Sequence, residues 1–578
     1  MRFCAERYSA QTMVFGNLLL HLYQTNPKTM KITLFLLIAA AMAGTSHAAA
    51  RPEGAAQLTQ QKNITICVGE TSTPILLDRT DNELFRIHLD APDGGTLTSL
   101  TMTLDAESAR HAAEVKLYYG GTDARNTPRE RLAPTDYIPD GRLEAEPSYS
   151  QLLAHDKGAR TVSFDVGKEL FRGINYLWVS IRMKHNTPLT HKLSASIRKI
   201  TVDGAECSFE TVGRTGQPHR MAVGVRHAGD DGAAAYRIPG LVTTSRGTLL
   251  AVYDVRHNSS KDLQQHIDIG LSRSTDGGRT WERMRLPLSF ADEGTLPAAQ
   301  NGVGDPSILY DHTTHRAWIV AAWCHGMGYG MAWNNSAQGM DPDMTGQLVL
   351  AYSDDDGKTW SEPINITRQV KRPEWHFLLQ GPGRGITMRD GTLVFPTQYI
   401  DAERMPHSAI MYSRDSGRTW HMHLGPRPNT TEAQVAELPD GRLMLNMRDN
   451  RGGSRAVAVT DDLGATWSEH ISSRKALREP VCMASLISVP AEQNISERNI
   501  LLFSNPDSDR ARRDITIKIS FDDGCTWPAE NQVLLDGEDG WGYSCLTMID
   551  PQTVGILYES SQAHITFQAI PLEDLLPR

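Results

Sequence analysis

One eight-residue pattern, S-x-D-x-G-x-T-W, occurs five times in this 578-residue chain and limits its fold more than any other feature. The copies occupy 274–281, 353–360, 413–420, 460–467 (where Thr replaces Ser) and 520–527, and their starts are 79, 60, 47 and 60 residues apart. Each copy follows a short apolar run, which is typical of a strand leading into a tight turn. In such a turn the Asp accepts backbone N–H groups, the Gly takes a positive φ and the Trp packs under the next strand. Strand–turn units repeated at roughly 40–80 residues predict a β-propeller.

Composition excludes some classes of partner. The formal net charge is −10, which argues against a nucleic-acid partner. An anionic ligand would therefore need a local cluster of Arg side chains. The seven Cys residues are too sparse for a disulfide scaffold, and their spacing suggests no zinc site, so we expect neither metal nor cofactor.

The amino terminus has the features of an export signal. An apolar run over 32–43 follows Lys31, and Ser46-His47-Ala48 offers a small-x-small cleavage site. Residues 1–48 are interpreted as a leader with a secretory signal peptide, which predicts a periplasmic or extracellular protein. No second long apolar stretch follows, so we expect no membrane span.

Residues 49–213 contain no copy of the repeat. Alternating strand-like runs separated by Gly, Pro and Asp predict an antiparallel β-sandwich domain there. A carbohydrate-binding module and a spacer without a ligand of its own are both compatible with this pattern.

The repeat is the Asp-box, and residues 214–578 resemble the sialidases (neuraminidases), which are six-bladed β-propellers. Tyr236-Arg237-Ile238-Pro239, ahead of the first Asp-box, matches the family's [FY]-R-I-P element. The resemblance implies an all-β fold and a glycosidase acting on sialic acid. Asp-boxes also occur in propellers without glycosidase activity, so the catalytic residues need their own argument.

The resemblance implies three Arg residues that grip the substrate's carboxylate. Guanidinium groups bind carboxylates bidentately and stay charged. Arg237 is the first, and Arg448, in the run GRLMLNMRDNRGG, matches the second. The family's R-x-x-[aliphatic]-T spacing selects Arg512 as the third, with Arg513 as the competing choice.

The general acid/base is predicted in a polar loop. Arg256 ends a strand and Asp262 lies six residues on. The resemblance makes Asp262 the acid/base and Arg256 an auxiliary contact to Asp262 or to the substrate carboxylate. Asp268 lies on a strand and is the less favoured candidate.

The nucleophile implied by the family is a Tyr. A carboxylate attacking the anomeric carbon would be repelled by the substrate's own carboxylate, whereas a Tyr hydroxyl is neutral until a base takes its proton. Tyr543 is the candidate, and Tyr558 is the alternative. Glu432, sixteen residues before Arg448, is preferred as its base over Glu437.

Asp305 and Gln380 are candidates for contacts to the sugar's substituents, and the 325–344 loop is a candidate cover. The chain is thus predicted to be an exported exo-α-sialidase that cleaves terminal sialic acid from glycoproteins, glycolipids or oligosaccharides with retention. A trans-sialidase, including an intramolecular one, and a non-catalytic sialic-acid-binding propeller are the alternatives. Linkage preference is left open.

Overall fold

A computed structural model describes residues 63–124, 150–213, 216–328 and 330–577. The leader predicted over 1–48 lies outside the described residues. Within them the protein is all-β, as predicted, and no helix there is long and apolar enough to span a membrane. The helical segments are short: Ala106–His111, Ala332–Asn335 and Thr367–Val370, with 3-10 turns at Asp230–Gly232, Ala298–Gln300, Ala491–Gln493, Ala529–Asn531 and Leu572–Leu575.

Two sheets at the amino-terminal end share one hydrophobic core. In the strand Gly95–Leu104 the buried side chains Leu100, Met102 and Leu104 alternate with more exposed ones, as expected where one face is covered. Among the described strands of these two sheets, only Thr65–Glu70 and Glu210–Gly213 pair in parallel. In spatial order the first sheet contains Glu210–Gly213, Thr65–Glu70, Asn82–Ala91, Gly173–Met183, Ala112–Gly121 and Gln151–Asp156, and the second Ala205–Cys207, Ala195–Val202, Gly95–Leu104 and Thr161–Leu170.

Six further sheets follow, which we number 1 to 6 in chain order. Sheets 1 to 5 are small, mainly antiparallel meanders of four or five strands. Sheet 1 contains Ala235–Thr243, Leu249–Arg256, Ile267–Ser274 and Arg285–Leu288; sheet 2 Asn301–Asp311, Arg316–His325, Gln347–Ser353, Ile364–Asn365 and Gly383–Arg384; sheet 3 Phe377–Gln380, Ile386–Thr387, Leu393–Ile400, Pro406–Ser413 and His421–Met422; sheet 4 Thr430–Glu437, Leu443–Asp449, Ala456–Thr460 and Ser468–Glu469; sheet 5 Ser485–Val489, Ile500–Pro506, Ile515–Ser520 and Gln532–Asp536.

Sheet 6 joins distant parts of the chain. Its last strand, Ile565–Pro571, pairs with the much earlier strand His219–Arg226. Each sheet contacts the next one along the chain, and Ser544–Asp550 of sheet 6 contacts both Ser485–Val489 of sheet 5 and Ala235–Thr243 of sheet 1. The contacts between the six sheets therefore form a closed series that runs from sheet 1 to sheet 6 and back to sheet 1. The remaining strands of sheet 6 are Ile75–Leu76, Lys192–Leu193 and Thr553–Tyr558.

The repeated motif forms the same turn in each copy. In the first, Asp276 accepts the Thr280 N–H (3.0 Å) and hydroxyl (2.6 Å), while the Ser274 hydroxyl donates to Asp276 and accepts the Gly278 N–H. Gly278 has φ +89° and lies directly against the Phe567 ring on sheet 6. The glycine is required both for its backbone angle and for this close approach.

Candidate active site

Arg237 is held by a carboxylate from the opposite end of the chain. It lies on the first strand of sheet 1, and its Nε and Nη2 donate to the two oxygens of Glu559 at 2.9 and 3.2 Å. Glu559 has no solvent exposure, and it also accepts the backbone N–H groups of Ile238 and Tyr543 at 3.0 Å each. Such a bidentate, fully bonded pair fixes the guanidinium in one orientation.

Tyr543 and Glu432 are in direct contact. The Tyr543 hydroxyl donates a hydrogen bond to Glu432 Oε1, and Arg448 Nη1 donates to Glu432 Oε2 (2.6 Å) and to the Tyr543 hydroxyl (3.1 Å). Burial and Glu432 raise the pKa of Tyr543 well above its ordinary value, while Arg448 and Arg512 oppose that rise. The phenol is therefore neutral at rest, and its hydroxyl is hydrogen-bonded to a carboxylate.

The three predicted Arg side chains surround Tyr543. The Arg237 and Arg512 guanidinium carbons lie 5.2 and 5.6 Å from the centre of its ring, and Arg448 contacts its hydroxyl. Arg512 is positioned by the Trp541 carbonyl (3.1 Å) and the Val481 carbonyl.

Arg513, the competing choice, points elsewhere. It donates to the Gly537 carbonyl at 3.0 Å and faces Asp539. The structure therefore places Arg512, and not its neighbour, beside the Tyr543 ring.

Asp262 lies beside positively charged Arg side chains. Arg256 Nη1 donates to Asp262 Oδ1 at 2.8 Å, and Arg237 Nη1 lies 3.8 Å from the same oxygen. Burial would raise the pKa of Asp262, but Arg256, Arg237 and Arg512 outweigh it and hold the pKa below its ordinary value. The side chain sits within this charged cluster although 52% of its surface is open to solvent, so a ligand can reach it.

Arg256 is itself fixed by a buried carboxylate. Its Nε and Nη2 donate to Asp254 Oδ2 at 3.1 and 2.9 Å, and Asp254 Oδ1 accepts the Asp305 N–H at 2.8 Å. Burial raises the pKa of Asp254 to about 6 despite Arg256. Burial and the neighbouring carboxylates Asp254 and Asp262 raise the pKa of Asp305 well above its ordinary value.

Gln380 supports the Asp305 backbone. Its amide nitrogen donates to the Asp305 carbonyl, and its side chain is fully buried. Asp305 has φ +58°, a conformation that is uncommon for a residue with a side chain. Gln380 thus contacts the chain behind the site, whereas Asp305 lies among the site's charged groups.

The alternative candidates Asp268, Tyr558 and Glu437 bind partners other than Tyr543, Glu432 and Asp262. Asp268 binds His257 (2.8 Å), and Tyr558 donates to Gln568 (3.0 Å) inside sheet 6. Glu437 pairs with Arg389 at the surface. The 325–344 loop contacts the loop that carries Asp262, because the Ala332 N–H donates to the Leu263 carbonyl at 2.7 Å.

Sequence reasoning missed Glu559, Asp254 and Trp541. Glu559 follows an apolar strand in the run GILYES, and Asp254 interrupts one in the run LLAVYDVR. A charged residue in such a position indicates a buried ion pair. Trp541 lies two residues before Tyr543, with the Arg237 guanidinium 4.9 Å from its ring centre.

Taken together, the site offers three guanidinium groups for an anionic ligand, an exposed carboxylate and a phenol hydrogen-bonded to a second carboxylate. Comparisons with known proteins agree with this arrangement. A family described as the N-terminal domain of BNR-repeat neuraminidase matches residues 63–206, and a BNR repeat-like domain matches 238–552. A sialidase of Bacteroides fragilis is 59% identical over 89% of this chain and 95% of its own length. A sialidase of Micromonospora viridifaciens is 32% identical over 65% of this chain and 58% of its own.

Solved structures lead to the same family. The Hadza microbial sialidase Hz136 has a TM-score of 0.82 and 56% identity, covering 88% of this chain and all of its own. A leech intramolecular trans-sialidase shares the fold alone, at 18% identity and a TM-score of 0.56 over 86% of this chain and 98% of its own. The chain belongs to the bacterial sialidase family and is, like its close relatives, a glycoside hydrolase.

Proposed function

We propose that the protein is an exo-α-sialidase that hydrolyses terminal α-linked sialic acid with retention, through a covalent bond to Tyr543. The observation that carries the proposal is the contact of Tyr543 with Glu432 beside Arg237, Arg448 and Arg512. Pure binding of an anion needs the Arg residues but not a buried phenol bonded to a carboxylate.

The three Arg side chains would hold the sugar's carboxylate, which stays ionised throughout the reaction. The Tyr543 oxygen then attacks the anomeric carbon as Glu432 accepts the phenolic proton, and Asp262 protonates the departing glycosidic oxygen. In the second step Asp262 removes a proton from water, which attacks the anomeric carbon, and the Tyr543 oxygen leaves and regains its proton from Glu432.

Asp262 must be protonated to act as an acid, yet its neighbours favour the ionised form. A bound sialic acid carboxylate would neutralise part of the charge of Arg237 and Arg512, and this would raise the pKa of Asp262. The substrate thereby helps to prepare its own acid catalyst. Asp305 interacts electrostatically with Asp262, and we propose it as a contact to the sugar's substituents.

Residues 214–578 are proposed to form a six-bladed propeller with Asp-box turns. Six consecutive sheets, each in contact with the next and with sheet 6 in contact with sheet 1, support this arrangement. We further propose residues 49–213 as a separate β-sandwich domain and 1–48 as a leader with a signal peptide that exports the protein. Its substrates would be sialylated glycoproteins, glycolipids or oligosaccharides.

The first test compares the native protein with Tyr543→Phe on a fluorogenic aryl α-sialoside. We expect the variant to lose several orders of magnitude in kcat, since Phe has no nucleophilic oxygen. Tyr558→Phe is the matched control, because it removes a buried hydroxyl on sheet 6 away from Glu432. Equal losses in both variants would contradict the assignment of Tyr543.

Product analysis addresses the alternative activities. Free α-sialic acid as the first product supports a retaining hydrolase, whereas an anhydro sugar or a sialylated acceptor would indicate a trans-sialidase. Binding of sialic acid by a protein without turnover would indicate a lectin.

A further inference from the structure

Two histidines and an aspartate converge at the base of the loop that carries Asp262. His257 follows the second strand of sheet 1, and His266 and Asp268 lie at the start of the third. The hairpin register pairs Val255 with Asp268 and Arg256 with Ile267, which brings both ends of the loop together. One donor atom from each of the three side chains lies within 4.8 Å of the others.

Two of these polar side chains have unused hydrogen-bonding capacity. Asp268 is only 2% exposed, and His257 Nε2 bonds its Oδ2 at 2.8 Å, but its buried Oδ1 accepts no hydrogen bond within the described structure. Burial would raise the pKa of Asp268, but the neighbouring His257, His266 and Ser289 side chains lower it below its ordinary value. His266 Nε2 is buried, lies 3.4 Å from Asp268 Oδ2 and makes no well-directed hydrogen bond there. Buried polar atoms without a partner indicate a missing ligand or water.

The separations fit a small cation with nitrogen and oxygen ligands. In a tetrahedral zinc site with bonds of about 2.0–2.1 Å, neighbouring donor atoms lie roughly 3.3 Å apart. The two nitrogen–oxygen distances here are 2.8 and 3.4 Å, so His257 would have to withdraw from Asp268 by roughly half an ångström on the same geometry. The imidazole rings are stacked at 3.8 Å and 16°, and binding would also splay them apart.

We propose that His257, His266 and Asp268 form a binding site for a divalent cation of the Zn²⁺ type. Two imidazoles and one carboxylate form a common ligand set for such ions. The His257 and His266 side chains are 27% and 24% exposed, so the group lies close to the protein surface. The ion would tie together both ends of the 257–266 segment and so hold the Asp262 loop at its base.

The test is a Zn²⁺ titration of the chelator-treated full-length mature protein by calorimetry, with ion content measured after dialysis. His266→Gln and His257→Gln each remove one ligand. His325→Gln is the matched control, because His325 also bonds an aspartate (Asp343, 2.7 Å) at similar exposure but has no second histidine in that pair. Adventitious ions, for example at exposed Cys525 beside His470, remain in all variants.

The native protein and His325→Gln should bind one ion per chain more than either ligand variant, or bind it at least tenfold more tightly. Co²⁺ should give visible absorption bands in the native protein that both ligand variants lack. Near-ultraviolet circular dichroism checks folding, and His257→Gln carries the test if His266→Gln fails to fold. Equal ion content and equal affinity in the native protein and a folded ligand variant would overturn the proposal.

Discussion

Glu559→Gln should weaken both the fold and substrate binding, because Glu559 holds Arg237. Glu559 accepts four hydrogen bonds and donates none: two come from Arg237 and one each from the N–H groups of Ile238 and Tyr543. The Gln amide keeps one acceptor oxygen and places an NH₂ group against two of those donors. Breaking a buried ion pair costs about 3–5 kcal/mol. Since half of the acceptor capacity remains, we expect a loss of about 3 kcal/mol in unfolding free energy.

The kinetic effect should appear mainly in KM. Arg237 would bind the substrate's carboxylate equally in the ground state and the transition state, so its displacement weakens both. A rise in KM of about 10–100-fold corresponds to about 1.4–2.7 kcal/mol of lost binding. Urea unfolding and steady-state hydrolysis of an aryl sialoside measure the two effects separately.

Glu437→Gln is the control for this experiment. It breaks a Glu–Arg pair in which Arg389 is 59% exposed, so it should cost less than about 1 kcal/mol and leave KM unchanged. If Glu559→Gln had the native unfolding midpoint and the native KM, the buried carboxylate would not be what positions Arg237.

Three more predictions concern single positions. Asp262→Asn should lose at least about 100-fold in kcat on sialyllactose but far less on an aryl sialoside, whose leaving group needs little protonation; equal losses would refute the acid role. Burial raises the pKa of Asp536 to about 7, so the native state retains a proton that the unfolded chain releases near pH 4. Its contribution to unfolding free energy should therefore fall between about pH 4 and pH 7, and Asp536→Asn should flatten that slope in pH-dependent urea unfolding. Gly278→Ala should lower the thermal midpoint well beyond Gly247→Ala, since a Cβ at Gly278 would overlap the Phe567 ring while one at Gly247 meets nothing; equal shifts would contradict this.

Local chemistry could be predicted from the sequence. The motif turns depend on hydrogen bonds between residues two to four positions apart, such as those of Ser274, Asp276 and Thr280, and therefore the spacing of the motif specifies them. The resemblance to sialidases selected Tyr543, Glu432 and the three Arg residues, and the structure brings all five together. Their catalytic roles stay predictions until the variants are measured.

Contacts between distant segments could not be predicted. Arg237 and Glu559 are 322 residues apart, and no local pattern relates the two. The grouping of His257, His266 and Asp268 depends on the exact hairpin register, and the spacing H-x8-H-x-D is not in itself distinctive. In both cases the missing information is which strands lie side by side.

The pairing of His219–Arg226 with Ile565–Pro571 also has a consequence for biosynthesis. Tyr543 directly precedes one strand of sheet 6 and Glu559 directly follows the next, and the sheet is complete only when the late strands have paired with His219–Arg226. Arg237 in turn depends on Glu559 for its orientation. A chain emerging from the ribosome can build sheets 1 to 5 in turn, but it cannot form the Arg237–Glu559 ion pair within a finished sheet 6 until Glu559 and the strand Ile565–Pro571 have been made. A protein truncated after Tyr558 should therefore be inactive even though every Arg of the site is still present.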